Sequence, residues 1–155
     1  MIVLNMIVKD EEHCLARCLS SIREIIDTAV IIDTGSTDGT VALIHRELSG
    51  IPHRVEPRPW VDFAHNRTEA FLAAKALFGD MGGYALIIDA DEELIPGGPG
   101  WKPPTMTCGV AGMWNTTPGR GRYMRPQFLN LAYDFYWQGA VHEELLCRQS
   151  VDSMR

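Results

Sequence analysis

The sequence predicts an α/β domain with a largely parallel central sheet flanked by helices, and three observations carry that expectation. Apolar runs of strand length alternate with stretches of helical periodicity in the order β-α-β-α-β-α-β over residues 1–88. Clusters of Gly and Pro punctuate the joins between them. Two of the apolar runs, Ala29-Val30-Ile31-Ile32 and Tyr84-Ala85-Leu86-Ile87-Ile88, end abruptly in acidic turns. In an open sheet of this kind ligands bind outside the carboxyl ends of the strands, so both acidic turns are expected to face one crevice.

Element by element, Met1-Ile2-Val3-Leu4-Asn5-Met6-Ile7-Val8 reads as the first strand. Leu15, Cys18, Leu19, Ile22, Ile25 and Ile26 recur at helical spacing, which predicts an amphipathic helix over residues 12–26. After the second strand, the turn through Gly35 and Gly39 leads into a helix carrying Val41, Leu43, Ile44 and Leu48, ended by Ser49-Gly50-Ile51-Pro52. A short strand over residues 53–56 follows, then a helix over residues 62–78 and, past Gly79-Asp80-Met81-Gly82-Gly83, the strand that begins at Tyr84. Residues 95–104 are too rich in Pro and Gly for helix or central strand. Their place beside the acids suits a flap over the crevice, although an ordinary excursion or a linker has the same composition. Residues 110–116, 123–131 and 136–137 read as shorter, aromatic-rich strands leading to Gly139-Ala140-Val141-His142-Glu143-Glu144.

With 155 residues, 46% of them apolar, the chain is expected to bury one core in a single domain, residues 1–155. A formal charge of −6 and the lack of a Lys/Arg run exclude a nucleic-acid backbone as partner. The first apolar stretch lacks a basic flank and is too short to cross a bilayer, so no transmembrane segment and a cytoplasmic location are expected, with peripheral membrane contact left open. Cys14 and Cys18 stand one helical turn apart, unlike a zinc knuckle or redox pair, and the four cysteines read as reduced thiols. Asn66-Arg67-Thr68 and Asn115-Thr116-Thr117 match the glycosylation pattern, which carries meaning only in a secreted chain.

The chemistry concentrates at Asp89-Ala90-Asp91-Glu92-Glu93. Two carboxylates one residue apart at a strand's end can reach one hard cation that keeps places for substrate phosphate oxygens, although acids also terminate strands on solvated loops. The cation would be Mn²⁺ or Mg²⁺.

Four blocks in order, Met6-Ile7-Val8-Lys9-Asp10-Glu11-Glu12, Ile31-Ile32-Asp33-Thr34-Gly35-Ser36-Thr37-Asp38-Gly39-Thr40, Asp62-Phe63-Ala64-His65-Asn66-Arg67 and Ile88-Asp89-Ala90-Asp91-Glu92-Glu93-Leu94, resemble family 2 glycosyltransferases of the GT-A fold. Trp137-Gln138-Gly139-Ala140-Val141-His142-Glu143 looks like an element of the bacterial subgroup near lipopolysaccharide-core and peptide-modifying glucosyltransferases. The resemblance implies a Rossmann-like nucleotide-diphospho-sugar transferase fold, with residues 1–94 binding the donor and residues 105–155 forming a short acceptor-side part. It also implies inverting transfer of a hexose from a nucleotide-diphospho-sugar, UDP-sugar favoured, to an acceptor glycan, lipid or peptide, with a divalent cation as cofactor.

Carried onto matching positions, Asp33 would contact the nucleobase and Asp38 would close that loop, unless Asp38 simply caps the following helix. Asp10, where the family usually has Asn, and Glu11 fall in the donor-binding loop. Arg67 would face the nucleotide, or snorkel to solvent. Asp89 falls near the ribose or the metal, and Asp91 on the metal. Glu143 is the candidate base for the acceptor hydroxyl, with His142 as alternative base or third metal ligand, while a plain solvated strand end would carry the same pair. Trp60, Trp101, Trp114 and Trp137 could supply platforms for sugar rings or belong to the core. Two other functions are weighed against this one. A catalytically silent nucleotide-sugar-binding or interaction module would keep the α/β half. A sugar-phosphate nucleotidyltransferase would need a basic, Gly-rich loop where Lys9-Asp10-Glu11-Glu12 stands.

Overall fold

In the computed structural model, the described residues are 1–95, 101–116, 121–139, 143–151 and, for the backbone, 117 and 153–154. Strands β1 (Ile2–Val8), β2 (Thr28–Asp33), β3 (His53–Pro57) and β4 (Tyr84–Ile87) lie parallel, joined by helices α1 (Leu15–Ile22), α2 (Thr40–Glu47) and α3 (Phe63–Phe78). β5 (Val110–Thr117) and β6 (Gly121–Asn130) form an antiparallel pair, and β6 adds antiparallel to β4. The sheet order is β3-β2-β1-β4-β6-β5-β9, with β9 (Ser153–Met154) at the edge. β7 (Phe135–Gln138) and β8 (Glu144–Cys147) form a separate antiparallel pair.

Side-chain alternation along the buried strands splits the interior into two layers. Leu4, Met6, Val8, Ile31, Leu86 and Ile88 point to one face, where they pack with Leu15, Leu19 and Ile22 of α1 and Leu43 and Ile44 of α2. Val3, Val30, Ala85 and Ile87 point to the other, against Phe71 and Ala74 of α3 and Phe135 of β7. Because all residues of β2 and β4 are buried, these strands have no solvated face, and continuous apolar runs are what such strands require.

Asn5 is the polar exception in the centre of this sheet. It is 2% exposed on the α3 side, and its Nδ2 donates to the carbonyls of Val30 (3.2 Å) and Ala70 (2.8 Å). One side chain therefore ties β1 to β2 and to the middle of α3, and nothing in the hydrophobic pattern announces it.

The expected helix over residues 12–26 is shorter at both ends. Cys14 N and Leu15 N both donate to Glu11 O, and Ile25 N and Ile26 N both donate to Ile22 O, so each end closes as a turn. The second turn brings Asp27 to the start of β1, where its Oδ2 accepts from Ile2 N (2.7 Å). α3 begins one residue later than expected because Asp62 is its N-cap, with Oδ1 accepting from His65 N (2.7 Å). The strands after residue 110 run longer than expected at one or both ends, and β8 and β9 were not foreseen. Part of the expected flap, residues 96–100, lies outside the described residues; of the rest, Trp101 packs against the α1–α2 core layer, and Lys102 Nζ donates to Glu24 O. No helix among the described residues is long and apolar enough to cross a membrane.

Asn5→Ala is expected to lower the unfolding free energy by about 1–3 kcal/mol, the cost of deleting a buried donor that serves two carbonyls. Urea denaturation of the variant and its parent measures this, and a change within error would refute the tie between strand and helix.

Candidate functional site

Parallel strands bring the C-terminal ends of β1, β2 and β4 to one edge, and α3, running back across the sheet, starts at that same edge. The result is a cleft of about 810 Å³ lined by Ile7, Glu11, His13, Phe63, Arg67, Asp89, Ala90, Asp91 and Glu143. A smaller pocket of about 300 Å³ adjoins it, between Val8, Lys9 and Thr34 on one side and Trp60 and Phe63 on the other. Trp60 and Phe63 meet edge to face at 4.9 Å, and both are more than two-fifths exposed.

The centre of the cleft wall is Arg67. Its side chain is only 13% exposed, with Nη1 at 2.8 Å from Asp89 Oδ1 and Nε at 2.6 Å from Glu143 Oε1. A second guanidinium, Arg125 of β6, reaches Asp89 Oδ2 at 3.4 Å and Glu92 Oε2 at 2.6 Å, and Glu92 Oε2 also accepts from Asp89 N. Asp89 thus has both carboxylate oxygens committed to arginines. Burial works to raise its pKa, but Arg67 and then Arg125 outweigh that, and the carboxyl is held below the usual range. Burial likewise works to lower the Arg67 pKa, and the Asp89 and Glu143 carboxylates reverse it, so the guanidinium stays charged. Arg67 does not snorkel to solvent.

Oxygens of Glu143 and Asp91 remain outside this lattice. Glu143 Oε2 is buried and, among the described residues, has no hydrogen-bond partner. The Asp91 side chain is exposed and, among the described residues, makes no ion pair; its backbone carbonyl accepts from Arg17 Nη2 (3.1 Å). Asp91 faces the same cleft as Glu11 and His13, so hard oxygen donors and an imidazole are available to a divalent cation there. Glu11, His13 and Cys14 also bring one ligand atom each within 4.8 Å of one another. The Cys14 thiol is pushed up to about 11 by burial, then by its hydrogen bond to Glu11 and by the nearby Glu11 and Asp91 charges.

The other acids named from the sequence serve the turns. Asp33 is buried at the end of β2, and its Oδ1 accepts from Ser36 N (3.0 Å). Asp38 Oδ1 accepts from Thr40 N and Thr40 Oγ1, its Oδ2 accepts from Glu12 N, and the Thr40 hydroxyl is the main cause of its lowered pKa. This is capping geometry at the start of α2, although the N-cap position itself belongs to Gly39. Asp10 adopts a left-handed backbone (φ 53°), and its Oδ1 accepts from Thr37 N at 2.6 Å. Asn and Asp both tolerate that conformation and both offer an Oδ1, so Asp in place of Asn keeps the loop's geometry. Gly39 N donates to Glu12 Oε2, and a Cβ at Gly39 would stand 2.3 Å from Glu12 Oε1, so a side chain there would have to displace the Glu12 carboxylate and break that bond. His142 lies outside the described residues.

Arg125 and His13 are site residues absent from the sequence reading, and Phe63 carried no site role there. Arg125 sits in the aromatic-rich strand with no motif around it. Phe63 had a signal, a large aromatic in the first turn of a helix whose Arg67 lies one turn on, where its guanidinium carbon is 5.9 Å from the ring centroid.

Known proteins resemble the first 98 residues of the chain. Over 93 residues the chain is 39% identical to a TPR repeat-containing protein of Synechococcus elongatus, covering 59% of this chain and 21% of that one. It is 33% identical over 90 residues to the lipopolysaccharide core biosynthesis glycosyltransferase LpsC of Rhizobium meliloti (57% and 31%), and 32% identical over 89 residues to an uncharacterized glycosyltransferase of Rickettsia felis (57% and 28%). The chain thus spans less than a third of the length of these relatives. Among solved structures, Staphylococcus aureus TarS residues 1–349 in complex with UDP-GlcNAc is similar at a TM-score of 0.49 and 17% identity, covering 59% of this chain and 27% of that one. The α/β GT-A fold follows from the strand order and the family match. Residues 4–98, more than half of the chain, match Glycosyl transferase family 2, and the chain belongs to that family.

Proposed function

We propose that this chain carries the donor site and catalytic centre of an inverting, metal-dependent glycosyltransferase that moves a hexose from a nucleotide-diphospho-sugar, UDP-hexose by preference, to an acceptor hydroxyl. The observation that carries the reading is the Glu143–Arg67–Asp89 chain along the cleft wall, beside Asp91. In this reading the nucleobase enters the pocket beside Thr34, against the Trp60–Phe63 pair, whose flat exposed rings suit a planar heterocycle. Asp33, the residue before Thr34, holds the turn behind that pocket through Ser36 N. Arg67 acts as a positioning residue: it holds Asp89 and turns Glu143 so that Oε1 is spent and Oε2 is left over.

The metal fits the residues present. Two guanidiniums against three carboxylates leave one net negative charge in the ion-pair lattice, and Asp91 and Glu11 add to it. Asp91 would hold the cation, with Glu11 and His13 in reach, whereas Asp89 is committed to its arginines. A bound Mn²⁺ or Mg²⁺ would act as a Lewis acid on the diphosphate. The chain's own residues supply the other half of the reaction. A buried carboxylate oxygen without a donor is an unsatisfied acceptor, and an incoming hydroxyl satisfies it. Glu143 Oε2 takes the hydroxyl proton as the acceptor oxygen attacks the anomeric carbon. The bond from that carbon to the diphosphate oxygen breaks on the opposite side, its electron pair leaves with the nucleoside diphosphate, and the configuration inverts.

UDP affinity measured by calorimetry should be higher with Mn²⁺ than with EDTA, and Asp91→Asn should lose at least about tenfold of the metal-dependent part by removing a charged oxygen ligand. Equal affinity with metal and with chelator would sink the metal assignment.

Glu143→Gln should keep UDP affinity while metal-dependent hydrolysis of a UDP-hexose panel falls by about two orders of magnitude or more, the loss expected of a general base. Hydrolysis at the parental rate in a folded variant would move the base elsewhere. A parent that binds UDP but turns over no donor would favour the silent binding module.

A further inference from the structure

The carboxylates of the site are of two kinds. Asp89, Glu92 and Glu143 each meet a guanidinium, whereas Glu11 and Asp91, among the described residues, pair with no arginine or lysine side chain. Arg17, in the first turn of α1, is engaged instead by Glu93 Oε2 (3.4 Å) and by Asp91 O (3.1 Å). What Glu11 has beside it is a thiol and an imidazole. Cys14 Sγ donates to Glu11 Oε2 (3.2 Å), and Glu11, His13 and Cys14 each bring one ligand atom to within 4.8 Å of the other two.

We infer that Glu11, His13 and Cys14 form a binding site for zinc, separate from the oxygen site at Asp91, and that zinc held there withdraws Glu11 and His13 from the Mn²⁺ or Mg²⁺ of the proposed transfer. The second half rests on the proposed function. Zinc binding itself depends on the three side chains alone.

Donor chemistry decides which cation fits. Thiolate and imidazole are ligands of borderline-soft ions such as Zn²⁺, while Mg²⁺ and Mn²⁺ keep to carboxylate, carbonyl and water. Zinc bonds of about 2.0–2.3 Å put tetrahedral ligands about 3.5 Å apart. The Glu11–Cys14 edge measures 3.2 Å, and rotation of the exposed His13 side chain serves to close the other two. As sulfur takes the ion, the S–H bond breaks, its electron pair becomes the Zn–S bond and the proton passes to water. Cys18 is not part of the set, because its buried thiol donates to Asp89 O (3.4 Å).

The backbone that carries the three ligands is fixed before any ion arrives. Cys14 N and Leu15 N donate to Glu11 O, and Glu11 N donates to Thr40 Oγ1 (2.8 Å). The intervening Glu12 is held twice, its N by Asp38 Oδ2 and its carboxylate by Gly39 N. Ligands drawn from four consecutive residues of such a turn close on one ion with only side-chain freedom to lose. Three protein ligands leave one coordination place open, as in zinc sites that exchange water for a ligand.

Cobalt reads this site, because Zn²⁺ is spectroscopically silent and Co²⁺ takes the same ligands. Titrated into the reduced 155-residue chain, Co²⁺ should give a sulfur-to-cobalt charge-transfer band with tetrahedral d–d bands, and stoichiometric Zn²⁺ should bleach them. Cys14→Ser should abolish the charge-transfer band. Cys14→Ser and His13→Ala should each weaken zinc binding by about tenfold or more, at least the loss that changes behind a metal's own ligands cause. Cys147→Ser, on β8, should keep both properties, and the cooperative melting of each variant checks that it is folded. No charge-transfer band in the parent, or a band retained in folded Cys14→Ser, would overturn the site. With UDP and Mn²⁺ present, stoichiometric Zn²⁺ should lower UDP affinity of the parent to the level measured with chelator and leave that of Cys14→Ser unchanged; an equal fall in both would overturn the competition. A cobalt band without metal-assisted UDP binding would remove the donor reading and leave the zinc site standing, whereas metal-assisted UDP binding without the band would do the reverse.

Discussion

A charge buried in a cleft wall needs a partner at every polar edge, and Arg67 is where this protein meets that requirement. Its guanidinium joins α3 to the turn after β4 through Asp89 and to the segment before β8 through Glu143. Removing one partner of a buried pair typically costs about 3–5 kcal/mol, because the other charge is left without compensation, and the figure is smaller here since Asp89 keeps 29% of its side chain exposed. The pairing does more than stabilise: it decides which carboxylate oxygens are engaged by a guanidinium and which are not. Arg125 repeats the device from the opposite side of Asp89, so the acidic turn is clamped between a helix and a strand that come from different halves of the chain.

The loops at the ends of β1 and β2 are organised by a different economy, with side chains bonding to backbone across the gap. Asp10 accepts from Thr37 N, Glu12 accepts from Gly39 N, and Asp38 accepts from Glu12 N. Each bond satisfies a main-chain group that would otherwise face solvent, and together they lace two acidic loops that would repel one another if left bare. Such cross-bonding explains why residues of this type cluster there even where they do not line the cleft.

Much of the α/β half was legible because its signals are local. Continuous apolar runs mark strands buried on both faces, and Asp62 or the Gly35–Gly39 turn marks a helix start. The acids at strand ends could be placed at one edge because parallel strands joined by helices leave little choice. What could not be read were pairings across the chain. Arg125 meets Asp89 across a sequence separation of 36, and Asn5 meets Ala70 across one of 65, with no periodicity to flag either. The ends of α1 were misjudged for a related reason: Ile25 and Ile26 keep the helical spacing of apolar residues while their backbone has already closed into a turn on Ile22. Hydrophobic period reports which face is buried, and it is silent about where the hydrogen-bond ladder stops.

The hairpin of β7 and β8 packs on α3 and carries Glu143 in its connection, just before β8 and 76 positions after its partner Arg67. A ribosome emitting the chain from its N-terminus releases Arg67 and Asp89 well before Glu143. The nascent α/β half can therefore collapse with its arginine already neutralised by one carboxylate, while the residue proposed as the base is added last. A stall or cleavage between β6 and Glu143 would leave the parallel strands, Arg67 and Asp89 without the carboxylate proposed as proton acceptor, a species that, under the proposed function, would hold donor without consuming it.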